Sequence, residues 1–248
     1  MLRLALAGLG AILAAVVLAW VFLGSATIPK ETSFTIPAGA SVASVADKLE
    51  AEGLISSASG FVLQARIFGS DTPIQAGEFL LTPDMSQGDI LAAFQSGDVI
   101  RRFVTIPEGM PSILVWERLM AEELLTGEVD VPPEGSILPD TYAFERGQSR
   151  KALVEQMQAA MDKALAEEWA KRGPGIAVDT MRDALTLASI VEKETGKPEE
   201  RRMVAGLYSN RVRTGMKLQA DPTIIYPITK GKPLGRRIKQ SEISAVNG

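Results

Sequence analysis

The residue best suited to acid–base chemistry in this sequence is Glu194, a carboxylate near the end of a predicted helix. Small and apolar residues recur at the spacing i, i+3, i+4 and i+7 and predict one buried face: Ala184, Leu187, Ala188 and Val191. Gly196 stands where a C-cap glycine belongs, and Pro198 prevents the helix from continuing. We therefore expect a helix over residues 180–195 with Glu194 in its last turn.

The position of Glu194 favours a general acid. The helix dipole is negative at this end, and Glu194 flanks the apolar stripe, one turn beyond Ile190. The dipole and partial burial would both favour the protonated carboxyl, the form that a general acid needs near neutral pH. From periodicity alone, a solvated acidic helix end is the simpler interpretation, so the assignment to catalysis needs further motifs.

Composition removes several other classes of site. The 248 residues include no histidine and no cysteine, which excludes Ser-His-Asp and Cys-His catalysis, zinc bound by these residues, and disulfides. The sequence contains no S-x-x-K motif, no Walker A loop and no G-x-G-x-x-G. Its net charge of −4 argues against a nucleic-acid partner. We expect neither a metal ion nor an organic cofactor.

The N-terminal segment predicts a membrane anchor. Leu4 to Leu23 form an uncharged apolar run, about long enough to cross ~30 Å of hydrocarbon. A cleaved signal peptide is the alternative, but its apolar region is shorter, about 7–15 residues. We predict a cytoplasmic stub at residues 1–3, a single transmembrane helix at 4–24, and a linker at 25–33. The rest of the chain would then be extracytoplasmic.

The sequence after the linker contains an internal repeat. The sequence FTIPAG at 34–39 returns as VTIPEG at 104–109, a spacing of about seventy residues, and each copy predicts a strand, a turn and an amphipathic helix. Residues 34–102 predict the order strand, helix, helix, strand, with a further helix capped by Ser86. This order indicates a small α+β module.

Residues 103–248 predict a second, larger α+β region. A short extended piece at 138–142 precedes helices at about 149–171, 180–195 and 199–213. The apolar face of the first of these helices is predicted to include Leu153, Met157, Ala160, Met161, Ala164 and Leu165. The segment 216–226 is predicted to be extended, and as a strand it would align Gln219, Asp221 and Thr223 on one face. An exposed strand face without a function is the alternative for that row.

Three ordered motifs carry a family resemblance. They read LASIVEKET at 187–195, YSNR at 208–211 and LQADPTIIY at 218–226, and LPDTY at 138–142 precedes them. With the N-terminal apolar helix, they make the chain resemble the YceG-like family of membrane-anchored endolytic murein transglycosylases. The resemblance covers nearly the whole chain.

The resemblance implies a LysM-like, peptidoglycan-contacting module at 34–102 and a lysozyme-like transglycosylase domain at 103–248. It implies that Glu194 is the catalytic glutamate, acting as acid and then as base on glycan strands. Candidates to orient the sugars are Asn210, Gln219, Asp221, Thr223 and Tyr226, whereas Tyr208 is predicted to pack in the core. Glu192 lies two residues earlier and points about 200° away, so the two glutamates cannot form a catalytic pair.

The resemblance further implies a bacterial inner-membrane protein, with cell-wall synthases and division proteins as partners. Family members continue beyond the point that corresponds to Gly248, so the transglycosylase domain is expected to be incomplete at its C-terminus. Two alternatives have other functions. One is a catalytically silent, peptidoglycan-binding assembly scaffold, and the other is a hydrolase in which Asp221 supplies a second carboxylate.

Overall fold

The computed structural model describes residues 26–246, and the chain divides into two units after Arg101. The predicted stub and transmembrane helix at residues 1–24 lie outside the described residues. Among the residues that are described, none of the helices combines the length and the apolar composition needed to cross a membrane.

The first unit is built around a pair of antiparallel strands. Its elements are β1 (Thr32–Ile36), α1 (Val42–Ala51), α2 (Ala58–Phe68), β2 (Gly77–Leu81) and α3 (Gln87–Ser96). Phe34 lies opposite Phe79 in the strand pair, and both rings pack on Phe94, at centroid distances of 5.7 and 4.9 Å. The predicted order of elements is confirmed. So is the Ser86 cap of α3, because its hydroxyl accepts a hydrogen bond from the Asp89 N–H.

The second unit begins with a repeat of the same motif and continues as helices. Its elements are β3 (Arg102–Ile106), α4 (Ser112–Ala121), β4 (Asp140–Phe144), α5 (Arg150–Ala170), α6 (Met181–Glu194), α7 (Pro198–Arg213), α8 (Asp221–Thr229) and α9 (Gln240–Val246). Strand β3 pairs antiparallel with β4. The turn glycines of the two copies, Gly39 and Gly109, have φ angles of +78° and +66°, which favour glycine. The fold is therefore mixed α+β, as predicted.

The prediction of an extended segment at 216–226 is wrong from Asp221 onwards, because α8 begins there, and residues 216–220 form no strand. Pro222 occupies the start of this helix, where its fixed φ and missing N–H are compatible with helical structure, and Asp221 suits the positive end of the dipole. Gln219 has φ of +52°, which breaks the extended run just before it. Gln219, Asp221 and Thr223 therefore do not alternate along one strand face.

Helix α5 is buried over less of its length than predicted. Leu153, Val154 and Met157 pack in the core of this unit, with Val115 and Leu119 of α4 among their neighbours. Four predicted core residues of its later turns are only half-buried: Ala160, Met161, Ala164 and Leu165. The periodic apolar residues of α5 continue along the helix beyond the last turn that packs against the core of this unit.

A buried arginine ties α5 to the end of α4. Arg150 is 9% exposed, and its guanidinium donates to the carbonyls of Leu119 (2.8 Å), Gly127 (2.6 Å) and Glu122 (2.7 Å). The carbonyls at the end of a helix lack partners within the helix and lie at the negative end of its dipole, so a cation there satisfies and stabilises them.

Replacing Arg150 with methionine should lower the free energy of unfolding by about 3 kcal/mol, because several buried carbonyls lose their donors. Urea denaturation followed by tryptophan fluorescence measures this, since Trp116 is half-buried in the same unit. Lys151→Met is the matched control, because the Lys151 side chain is 74% exposed and its pairing with Glu155 should contribute little. Equal losses in the two variants would contradict a structural role for Arg150.

Candidate active site

Helix α6 ends at Glu194, and the side chain of the next residue fixes the turn. Thr195 adopts an extended backbone, and its hydroxyl donates to Glu200 Oε2 at 2.9 Å and accepts from the Lys197 N–H at 3.1 Å. The prediction that Gly196 forms a left-handed C-cap is wrong, since its φ is not positive. Thr195 is buried and replaces the glycine cap with side-chain hydrogen bonds.

Glu194 is exposed rather than partly buried. On the preceding turns, Ile190 and Val191 are buried, Leu187 is half-buried and Ala188 is exposed. The buried face of α6 is therefore narrower than the sequence pattern predicts and ends before Glu194. The carboxyl that the sequence predicts to be partly buried is therefore open to solvent.

Tyr208 connects Glu194 to the interior of the domain. The residue is 4% exposed and packs with Ile190, Val191 and Ala220 in a small apolar cluster. Its hydroxyl lies near the Glu194 carboxylate, and the two groups interact electrostatically. Burial raises the pKa of Tyr208, and so do the negative charges of Glu194 and Asp221, whereas the Arg211 guanidinium acts in the opposite direction.

The structure thus assembles two carboxylates, a phenol and a guanidinium. Arg211 lies over the Tyr208 ring, with 5.9 Å from the guanidinium carbon to the ring centroid, and donates through Nη1 to the Leu218 carbonyl. That hydrogen bond joins α7 to the segment that leads into α8, and so helps to place Asp221. Sequence reasoning assigned Tyr208 to the core, which is correct for its ring, but missed the hydroxyl. The sequence does contain one indication of a polar neighbour: the core position is a tyrosine rather than a phenylalanine, and a buried phenol normally has a hydrogen-bond partner.

The other predicted sugar-binding residues have different partners. Exposed Asn210 accepts from Arg213 Nη1 at 3.2 Å, and Gln219 is exposed in a left-handed conformation. The Thr223 hydroxyl donates to the Ala220 carbonyl at 2.6 Å, within the first turn of α8. Tyr226 donates to Glu134 Oε2 at 3.3 Å. Of the six residues, Glu194 and Asp221 are the two whose charges act on Tyr208.

Glu192 faces a different set of groups from Glu194. Its carboxylate pairs with Arg201 Nη2 at 3.0 Å, and the same nitrogen lies 3.3 Å from Glu108 Oε2 in the turn between β3 and α4. A Cβ on Gly109 would lie 3.2 Å from Glu192 Cγ, so this turn packs directly on the last turns of α6. The role of Glu192 is therefore to join α6 and α7 to that turn.

The start of α4 supports α8 in a similar way. Both carboxylate oxygens of Glu134 lie 3.2 Å from the Ser112 N–H, and Oε2 also accepts from Tyr226. After α8, Lys232 Nζ lies 2.7 Å from a Glu117 carboxylate oxygen on α4. Among residues 26–246, no three potential metal-binding side chains lie close enough together to share an ion.

The proximity of Glu194 predicts that the pKa of Tyr208 depends on the charge at position 194. Glu194→Gln should lower the pKa of Tyr208, because it removes a negative charge beside the phenol, while burial still holds the pKa above its ordinary value. Tyrosine ¹³Cζ NMR measures this, since the chain has three tyrosines. Glu192→Gln is the control and should leave Tyr208 unchanged. An unaltered Tyr208 titration in Glu194→Gln would show that the two groups do not interact.

Comparison with known proteins adds independent information. The model of the YceG-like family matches residues 34–247. A relative named endolytic murein transglycosylase, from Streptococcus pneumoniae serotype 2 (strain D39 / NCTC 7466), is 28% identical over 262 residues, which cover 88% of this chain and 46% of that protein. A relative of the same name from Bacillus subtilis (strain 168) is 23% identical, over 81% of this chain and 64% of that protein. The chain thus spans about half of the pneumococcal relative and less than two thirds of the other.

A crystal structure of a yceG-like protein from Listeria monocytogenes aligns with a TM-score of 0.44 and 24% identity, covering 87% of this chain and 80% of that one. The family match is the stronger finding, because it extends over both units and includes the segment that carries Glu194, Tyr208 and Asp221. The chain belongs to the YceG-like family.

Proposed function

We propose that this chain is a membrane-anchored endolytic murein transglycosylase, which cleaves glycan strands between N-acetylmuramic acid and N-acetylglucosamine. The observation that carries the proposal is the exposed Glu194 carboxylate at the end of α6, beside the buried phenol of Tyr208. The two relatives described above are named for this activity. A single positioned carboxyl group suffices for the chemistry.

In the first step, protonated Glu194 donates its proton to the glycosidic oxygen. The bond between C1 of N-acetylmuramic acid and that oxygen breaks, and N-acetylglucosamine leaves with a free hydroxyl. Positive charge develops at C1 and the ring oxygen, as in other glycosidic cleavages. Glu194 is left as a carboxylate, and we propose that the neighbouring Tyr208 hydroxyl orients it.

In the second step, the 6-hydroxyl of the same muramyl residue attacks C1. Its proton passes to the Glu194 carboxylate, and the new C1–O6 bond closes a 1,6-anhydro ring. Glu194 returns to its protonated form, so atoms and charge balance without water. Because the nucleophile belongs to the substrate, its effective concentration is high and no second carboxylate is required.

The remaining candidates divide by their surroundings. Asn210, Gln219 and Asp221 are exposed and are proposed to contact sugar hydroxyl and acetamido groups. Thr223 and Tyr226 make hydrogen bonds within the protein, so we propose that they position α8, with sugar contact as a secondary role. Arg211 offsets the charge of the two carboxylates that face Tyr208.

The other parts of the chain fit the same activity. Residues 34–102 share the strand–helix–helix–strand order expected of a LysM-like module, and we propose that they bind glycan. We propose that residues 4–24 cross the bacterial inner membrane once and leave the rest of the chain in the periplasm. Cell-wall synthases and division proteins are the proposed protein partners.

Glu194→Gln should reduce the formation of anhydro-muramyl ends roughly 10²–10⁴-fold, because glutamine cannot donate the proton that a general acid supplies. Mass spectrometry of products from uncrosslinked glycan strands measures this. Glu192→Gln is the matched control on the same helix and should retain most activity, since that carboxylate pairs with Arg201. If Glu192→Gln is inactive and Glu194→Gln active, the acid is misassigned.

Hydrolysis is the second candidate function, because Asp221 and Glu194 both act on Tyr208 and could serve as a carboxylate pair. Asp221→Asn separates the two reactions. If the protein is a transglycosylase, the Asp221→Asn variant should still produce anhydro ends, at a modestly reduced rate. If it is a hydrolase that uses Asp221 as its base, the parent should produce reducing ends and the Asp221→Asn variant should produce almost none. No product from any variant, with glycan binding retained, would indicate the silent scaffold.

A further inference from the structure

Positive charge is concentrated in the segment that ends α8 and leads towards α9, and none of the reaction steps described above uses it. Residues 226–239 include five lysines and arginines and no aspartate or glutamate. Two of the five pair with carboxylates from outside this segment, Lys232 with Glu117 and Arg236 with Glu242. The other three side chains are exposed: Lys230, Arg237 and Lys239. A surface of this kind attracts anionic ligands.

Lys230 and Arg182 both lie close to Tyr226, whose side chain is partly exposed. Lys230 Nζ is 5.9 Å from the centroid of the Tyr226 ring. Burial and the Glu134 carboxylate raise the pKa of Tyr226, whereas the Arg182 guanidinium lowers it, so this cation is also a neighbour of the phenol. The nearby Glu134 carboxylate is already engaged, because both of its oxygens lie 3.2 Å from the Ser112 N–H. Two cations are therefore grouped beside one exposed aromatic side chain.

The backbone of Lys230 has a conformation that lysine rarely adopts. Its N–H donates to the Tyr226 carbonyl at 2.8 Å and ends α8, with a φ of +52°. Glycine or asparagine is the usual residue at a left-handed helix end, and other residues in this conformation cluster at functional sites. Gly231 then packs on Pro111 so closely that a Cβ would lie 2.3 Å from the proline Cβ. The basic segment is thus held against the start of α4.

These cations lie within reach of a chain that begins at Glu194. Asp221, at the start of α8, acts on the same phenol as Glu194, and Lys230 follows the end of α8, about 14 Å along the helix axis. Arg182 lies in the first turn of α6, whose last residue is Glu194. Both helices therefore lead from the proposed catalytic residue to the pair of cations. An extended peptide of about five residues spans up to ~17 Å, which is enough to cover this distance.

We propose that Arg182 and Lys230 bind the free carboxylates of the stem peptide on the muramyl residue that lies at Glu194. The inference rests on the proposed function, whose substrate carries this peptide on the lactyl carboxyl of N-acetylmuramic acid. Guanidinium and ammonium groups form charge-assisted hydrogen bonds with carboxylates, and the other exposed cations of residues 230–239 add to the positive field. The protein therefore recognises the peptide as well as the sugar, and it prefers strands whose stems keep their carboxylates.

Binding of glycan strands to the full chain carrying Glu194→Gln tests the proposal without turnover. Isothermal titration calorimetry compares uncrosslinked strands whose stem peptides have free carboxylates with the same strands after those carboxylates have been amidated. The strands with free carboxylates should bind more tightly. Adding Arg182→Gln and Lys230→Asn should reduce that preference roughly five-fold, because exposed ion pairs are individually weak. High salt should reduce it as well.

Lys230→Asn alone keeps the test independent of any change in folding. Asparagine tolerates a positive φ, and Arg182 keeps its hydrogen bond to the Glu134 carbonyl. This single variant should reduce the preference roughly two-fold. The matched control is Lys151→Gln with Lys163→Gln, which removes two positive charges from α5, where these side chains are 74% and 79% exposed. It should leave the preference unchanged.

Equal binding of the two strand preparations would overturn the stem-peptide proposal, and so would equal effects of the two double variants. If short-chain phosphatidylglycerol binds through Arg182 and Lys230 while the two strand preparations bind alike, the basic surface serves an anionic lipid and the proposal is overturned. If the Glu194→Gln chain shows the preference but the parent makes no anhydro ends, the stem-peptide site stands and the proposed function alone is overturned.

Discussion

The placement of the candidate site depends on a helix start that has no local cap. Helix α4 begins after Pro111, which offers no side-chain acceptor, and Glu134 from a distant loop accepts from the Ser112 N–H instead. Unpaired N–H groups at a helix start attract a carboxylate because they are both donors and the positive end of the dipole. Glu134 then accepts from Tyr226 of α8, and its own carbonyl lies 3.3 Å from Arg182 Nη1 of α6. One capping requirement thus brings together the helices that carry Asp221 and Glu194.

The two copies of the repeat show how this arrangement differs from a free-standing unit. In the first copy Ser41 caps α1 locally through a capping box with Ser44, and a Cβ added to Gly39 would contact nothing within 4 Å. In the second copy Pro111 replaces the local cap, and Gly109 lies against Glu192. Glu108 in the same turn pairs with Arg201. Similar sequences therefore give the same strand, turn and helix, and the differing residues convert the second copy into a support for α6, α7 and α8.

The sequence predicts the regular elements well where local chemistry and periodicity agree. Such patterns correctly predict the strand of each repeat, the cap at Ser86 and the end of α6 near Glu194. The α8 prediction failed because polar residues alternate over 219–223, although an Asp-Pro pair is also a typical helix start. The buried face of α5 was overestimated because periodicity does not show where a partner surface ends. The contacts of Glu134 and the Tyr208 hydroxyl join residues distant in sequence, and no local pattern contains them.

The exposure of Glu194 separates the two tasks that the sequence assigns to one end of α6. The carboxyl group itself is open to solvent, whereas the neighbouring Tyr208 phenol is buried among the apolar side chains of the second unit. Burial raises the pKa of Tyr208, and the charges of Glu194 and Asp221 raise it further. The phenol therefore stays neutral and fixed in position, while the carboxyl group beside it stays accessible. In the proposed reaction, a glycan strand that covers the end of α6 would exclude water from Glu194, so substrate binding would supply the desolvation that the free protein lacks.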